Sequence, residues 1–255
     1  MHLTKRRFFI LVISVVVSGV VLFQYESSRV ATLKERYPAV HYRGQNEAPL
    51  ITLEKTRPPG WVSLGGISRF AVDAIVVSED WAFFQHKGYD PNQIREAIKE
   101  DWEDGRYARG ASTITQQVVR NVFLAKKKTL WRKAEELSLS VLLEKKTSKR
   151  RILEIYLNVA EWGEGVFGIR AASAYYFHKA PSGLTAKEGA FLAMLLPSPI
   201  RYGVSFRDRH LTDYAQDTVE SILDKMVQAH DLTADERRQQ ELIPLSFSEP
   251  TLFRK

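Results

Sequence analysis

The sequence predicts a mainly α-helical protein, with one N-terminal apolar helix ahead of a domain of two lobes and a cleft between them. Three observations carry that prediction. No charge interrupts the apolar stretch from Phe8 to Phe23. Helix-starting patterns recur along the remainder, with apolar residues at three- and four-residue spacing, and strand-like runs are few. The 255 residues are enough for a real core, and 44% hydrophobic against 26% charged content describes a folded chain. A net charge of +7 favours anionic partners. With no cysteine, a thiol nucleophile, a cysteine zinc site and a disulfide framework are all excluded.

The apolar stretch follows Lys5-Arg6-Arg7. It covers most of a bilayer core of about 30 Å, and Gln24 and Tyr25 extend it into the interface. The basic residues in front place the N-terminus in the cytoplasm and the remainder outside it. A cleaved signal peptide is the rival, but the stretch is long for one and no small-x-small cleavage site follows. Residues 26–50 mix charges, polar residues and prolines and read as a juxtamembrane linker. Thr56-Arg57-Pro58-Pro59-Gly60-Trp61 is a turn-rich entry to the domain.

Within the domain, the apolar run Phe70 to Val77 reads as a buried helix that delivers Glu79 to its end. A carboxylate partly withdrawn from water there has a raised pKa, suited to proton transfer; a solvated acidic turn is the plain alternative. Asp90 and Pro91 start the next helix, which Gly105 ends. Thr113 with Gln116 fits a capping box. The same helix start, preceded by glycine and carrying Ser112, Gln117 and Arg120, also offers N–H groups and polar side chains to an anion. Ala125-Lys126-Lys127-Lys128 is basic and leads into a helix on which Arg132 and Lys133 share a face with Glu136. Periodicity leaves open whether Glu135 or Glu136 faces inward. Ser148 starts an amphipathic helix with Ile152, Ile155, Tyr156 and Val159 as its buried stripe. Glu161 to Gly168 reads as a glycine-rich loop, spaced unlike a dinucleotide fingerprint. Thr185 and Glu188 form a second capping box before a buried helix that Pro197 and Pro199 stop. Residues 208–240 read as one or two amphipathic helices.

Five ordered stretches resemble the family-51 peptidoglycan glycosyltransferases. They are Glu79-Asp80 with Phe83, His86, Gly88 and Asp90; Arg109 to Gln117; Arg132-Lys133 with Glu136; Ser148-Lys149 through Asn158; and Leu192-Ala193 with Leu196-Pro197 and Pro199. Together they cover roughly residues 55 to 230, and the likeness is to the monofunctional members. Departures are Ala111 where glycine is usual, Arg120 where lysine is usual and Lys128 where arginine is usual. Arginine's fork and lysine's point charge are not interchangeable.

The resemblance implies a lysozyme-like fold and polymerisation of lipid II into β-1,4 glycan with inversion and release of undecaprenyl pyrophosphate. It implies Glu79 as general base and Glu136 as second catalytic carboxylate. Substrate-binding residues would be Asp80, Ser112, Thr113, Gln116, Gln117, Arg120, Lys128, Arg132 and Lys133. The implied organisation is a cytoplasmic N-terminus (1–7), a transmembrane anchor (8–25), a linker (26–50) and a periplasmic glycosyltransferase domain (51–255) on the bacterial inner membrane. Expected partners are lipid II, the growing glycan strand, the bilayer and other cell-wall synthesis proteins, and not nucleic acid. No metal site stands out; a divalent ion, Mg or Mn, at the pyrophosphate is left open. The rival enzyme is a membrane-bound lytic transglycosylase or muramidase, which would not need the cations near Glu136. A non-enzymatic binder of anionic lipid or nucleic acid lacks the interleaved aromatics a stacking platform needs.

Overall fold

The computed structural model describes residues 5–44, 47–96, 112–124 and 129–247. Helix α1 runs Lys5–Ala31, and residues 7–25 are exposed all round. Its 27 residues rise about 40 Å. Among the described residues this is the one helix long and apolar enough to cross a membrane, which fits a single-pass anchor.

Within the segment expected as a linker, 26–50, most residues belong to defined elements. Residues up to Ala31 continue α1, Thr32–Lys34 form a 3-10 turn, and Val30 and Leu33 are fully buried. Strand β1 (Tyr37–His41) then pairs antiparallel with β2 (Leu50–Glu54), with Tyr37 opposite Glu54 and His41 opposite Leu50. The physical reason is burial. A few apolar residues among charged ones secure the segment because they meet the helices Leu130–Lys146 and Lys149–Val159, and not water.

Two helical groups make the core. In the first, α2 (Arg69–Glu79) and α10 (Asp213–Gln228) pack on each other and on α7 (Ala186–Leu195), which is buried along almost its whole length. Gly189 permits that approach, since a Cβ there would lie 2.6 Å from the Cα of Ala71. In the second, α3 (Ile114–Phe123) packs on α4 (Leu130–Lys146) and α5 (Lys149–Val159), and the end of α1 rests on α4. Both expected capping boxes form, Thr113 with Gln116 and Thr185 with Glu188, and Ser148 caps α5.

The expected loop at Glu161 to Gly168 is a short hairpin, β3 (Glu161–Gly163) with β4 (Val166–Phe167). Gly165, at φ +70°, turns the chain between them. Helix α6 (Ile169–Phe177) follows. Pro199 does more than end α7: it occupies the first turn of α8 (Pro199–Tyr202), where its missing N–H costs nothing. Helices α9 (Val204–Arg207) and α11 (Ala234–Leu242) complete the fold. Asp90 caps as expected, accepting from the N–H of Asn92 and of Gln93, and residues 91–96 are helical; the expected stop at Gly105 lies outside the described residues.

Candidate active site

Helix α2 belongs to the first helical group, but its last residue, Glu79, reaches the second. Glu79 Oε2 accepts from Gln117 Nε2 at 2.7 Å and from the Tyr156 hydroxyl at 3.4 Å. The same hydroxyl lies 3.3 Å from Gln117 Oε1. Glu79 therefore sits at the seam of the two groups, held by an amide from α3 and a phenol from α5, with part of its surface open. Burial raises its pKa above the ordinary carboxylate value. The hydrogen bonds from Gln117 and Tyr156 and the charge of Arg120 oppose that rise, and Asp80 adds to it. Burial, then the charge of Glu79, pushes the Tyr156 phenol well above its usual range, so it stays a proton donor. The sequence reading placed Tyr156 in an apolar stripe and assigned its hydroxyl no role. The available signal was that a core tyrosine needs a partner for its O–H.

Asp80 is fully buried. It accepts from the Ile114 N–H at 2.9 Å, at the start of α3, and from His86 Nε2 at 3.0 Å. The Gly88 N–H donates to His86 Nδ1 at 3.1 Å, which leaves the ring proton on Nε2, facing Asp80. The Thr113 hydroxyl donates to the Gly88 carbonyl at 2.9 Å and accepts from the Gln116 N–H, while Gln116 Oε1 accepts from the Thr113 N–H. Asp80, Thr113 and Gln116, expected to touch substrate, hydrogen-bond within the fold through the atoms just named. These bonds staple the loop after Glu79 to the start of α3 and so set where Gln117 stands. Gly88, at φ +101°, presses this loop against α4; a Cβ there would lie 2.8 Å from the Ser140 carbonyl.

Glu136 resolves the open choice with Glu135. Glu136 is fully buried, with Oε2 accepting from Arg132 at 2.6 Å and Oε1 from Lys133 at 2.5 Å. Lys133 also donates to Ser112 Oγ at 3.1 Å, just before α3. Both cations lie in the first turn of α4, which carries no acidic residue. That end already bears the positive pole of the helix, and Glu136 offsets one of the two cations there.

Arg120 and Arg132 line a cleft of about 600 Å³, with Asn121 and Glu161 beside them and Ile51, Leu124, Val159 and Phe167 as apolar walls. Lys128 lies outside the described residues. Among the described residues no group of three His, Cys, Asp or Glu converges for a metal ion. Glu136 has both oxygens on cations and Glu79 is held by neutral donors, so this donor set does not fit a protein-held divalent ion.

The family model described as Transglycosylase matches residues 46–227, most of the chain. The chain belongs to this transglycosylase family. Among similar proteins, the biosynthetic peptidoglycan transglycosylase of Laribacter hongkongensis (strain HLHK9) is 46% identical over 151 residues, 59% of this chain and 66% of the relative. The one from Nitrosomonas eutropha (strain DSM 101675 / C91 / Nm57) is 40% identical over 178 residues, covering 70% of each. That of Methylobacillus flagellatus (strain ATCC 51484 / DSM 6875 / VKM B-1610 / KT) is 41% identical over 160 residues, 61% of this chain and 70% of the relative. The chain thus spans about two thirds of the length of these curated relatives. The transglycosylase match includes Glu79, Gln117, Glu136 and Tyr156, and also β2, so the family module takes in part of the expected linker and the hairpin strand beyond it.

Proposed function

We propose that the chain is a peptidoglycan glycosyltransferase that polymerises lipid II, anchored by α1 in the bacterial inner membrane with its domain on the periplasmic side. The observation that carries this reading is a base and an anion site side by side: Glu79 among neutral donors, joined through Gln117 to Arg120, which lines the cationic cleft. A sugar hydroxyl is a poor nucleophile and needs a base as it attacks. The GlcNAc 4-hydroxyl of the acceptor loses its proton to Glu79 as its oxygen bonds to the donor's muramyl C1. The C1–O bond to pyrophosphate breaks from the opposite face, so the configuration inverts. The electron pair leaves on undecaprenyl pyrophosphate, which Arg120 and Arg132 receive. Such a leaving group needs positive charge more than it needs a proton.

Glu136 holds Arg132 and Lys133 in place for that charge. Two cations crowded at a helix N-terminus disfavour the empty fold and favour an anion beside them. The biosynthetic name of the relatives and this cation cluster both count against the lytic rival. The test is a polymerisation assay with labelled lipid II and products separated by size. Wild type yields glycan ladders and Glu79→Gln yields none; a wild type that only shortens preformed glycan overturns the proposal.

A further inference from the structure

Two arginines outside the site tie the membrane anchor to the helices that build it. Arg29, in the last turn of α1, donates to the Phe123 carbonyl at 2.6 Å, and its guanidinium lies 5.0 Å from the centre of the Phe123 ring. Phe123 ends α3, where carbonyls lack helical partners and a cation is favoured. Arg151, in the first turn of α5, donates through Nε to the Leu33 carbonyl at 3.1 Å and through NH2 to the Arg36 carbonyl at 2.8 Å. Its third contact is Glu154 at 2.6 Å, and it lies over the rings of Tyr37 and Trp61. Val30 and Leu33 are fully buried between these two clamps. Helix α3 carries Gln117 and Arg120, and α5 carries Tyr156. The end of the anchor therefore contacts α3 through Arg29, and the turn that follows it contacts α5 through Arg151.

We infer that Arg29 and Arg151 are positioning residues that make the anchor a rigid strut, setting the height and tilt of the cleft over the bilayer for a substrate carried in that bilayer. The inference rests on the function proposed above for what the substrate is, and on geometry for the strut. Arg29 is one helical turn past Tyr25, about 6 Å beyond the end of the span. The headgroup zone is about 5–8 Å thick on each side of the hydrocarbon core. Arg120 is in turn three residues from Phe123 along α3. The cationic cleft is thus held at the depth where the pyrophosphate of a membrane-borne lipid lies. A flexible tether would let the domain sample many heights and tilts and would dilute this alignment.

The chain's lack of cysteine makes the strut directly measurable. Leu22→Cys on α1 and Asp217→Cys on α10 take a pair of spin labels in full-length protein reconstituted in vesicles. A narrow distance distribution is expected, broadened by Arg29→Ala and broadened further by a four-residue glycine–serine insert after Glu26. The insert substitutes no residue and leaves Arg29, Val30 and Leu33 attached to the domain, and a domain melting temperature equal to wild type separates loss of the strut from misfolding. With lipid II in vesicles, the insert is expected to lower the polymerisation rate about fivefold, mainly through KM. With lipid II and enzyme in detergent, its rate should equal wild type. Arg151→Lys keeps the charge but loses the fork and should fall between wild type and the insert. A broad distribution in wild type, an unchanged vesicle rate for the insert, or an equal loss in both media overturns the strut. A wild type that makes no polymer in either medium yet shows the narrow distribution overturns the proposed reaction and upholds the docking geometry.

Discussion

Glu79 and Glu136 are the same residue type, both drawn out of water, and they are solvated by the protein in opposite ways. Glu79 faces a neutral amide and a neutral phenol, with Arg120 acting only from beyond Gln117. Glu136 has one cation on each oxygen. Hydrogen bonds from neutral donors hold a carboxylate in place yet leave it able to take a proton. Two direct cations tie Glu136 into an ion-pair cluster. The fold thus gives two buried carboxylates different partners, which suits them to different tasks.

The strongest way to break this comparison is Glu79→Gln. It should lower polymerisation about 1,000-fold, read from initial rates on labelled lipid II. Its stability should not fall. Because burial raises the folded-state pKa of Glu79 above the unfolded value, the ionised side chain costs stability once pH rises through that raised pKa. A melting temperature at pH 7.5 equal to or above wild type is expected, and a large drop would contradict the neutral-shell reading.

The same change at the other carboxylate should have the opposite stability sign. Glu136→Gln leaves Arg132 and Lys133 close together with no anion between them. A loss of about 2 kcal/mol by denaturant titration is expected, below the full cost of breaking a buried pair because Lys133 is half-exposed. The rate should drop about 100-fold through loss of ordered charge at the leaving group. Added salt that restores stability without restoring rate would sharpen the distinction.

Gln117→Ala tests the neutral shell more finely. It removes a hydrogen bond that lowers the Glu79 pKa, so the acid limb of the pH–rate profile should move to higher pH. An unchanged limb would mean that this carboxylate is not the titrating base.

The smallest effect is expected at Asp73, a third carboxylate, on α2 with Glu79. Burial, then the charge of Asp231, raises its pKa to about 6, against the opposing charge of Arg69. Its ionisation costs stability as pH rises between about 4 and 6, so Asp73→Asn should add about 1 kcal/mol at pH 7.5, after allowance for screening at a part-exposed site, and nothing below pH 4. The polymerisation rate should not change. Burial alone would then be shown to raise a pKa on this helix without making a catalyst.

Much of this was legible in the chain. The run Phe70 to Val77 placed Glu79 at a helix end because eight consecutive residues with one charge have few other solutions. Thr113 with Gln116 announced the start of α3 because capping is local chemistry. What failed to show depended on contacts between distant segments. Nothing in the sequence reveals that the loop after Glu79 folds back on α3 and that Asp80 and Thr113 bond across that contact. The inward choice of Glu136 over Glu135 is set by α3 and the loop packing on α4, not by the weak apolar period of α4 itself. Residues 26–50 carry too few apolar side chains to read as domain, and Val30 and Leu33 matter only because α4 and α5 are there to cover them.

Gly88 has one more consequence. Its bare Cα rests against the backbone of α4 at Ser140, one turn after Glu136, and the Ser140 hydroxyl donates to the Glu136 carbonyl. The loop that follows Glu79 is therefore gauged from the same rail that carries Glu136, main chain against main chain. Helix α4 serves as the datum surface from which both carboxylates are located. Side chains elsewhere on the surface can vary without disturbing that dimension, whereas a single methyl group at position 88 would put both out of true.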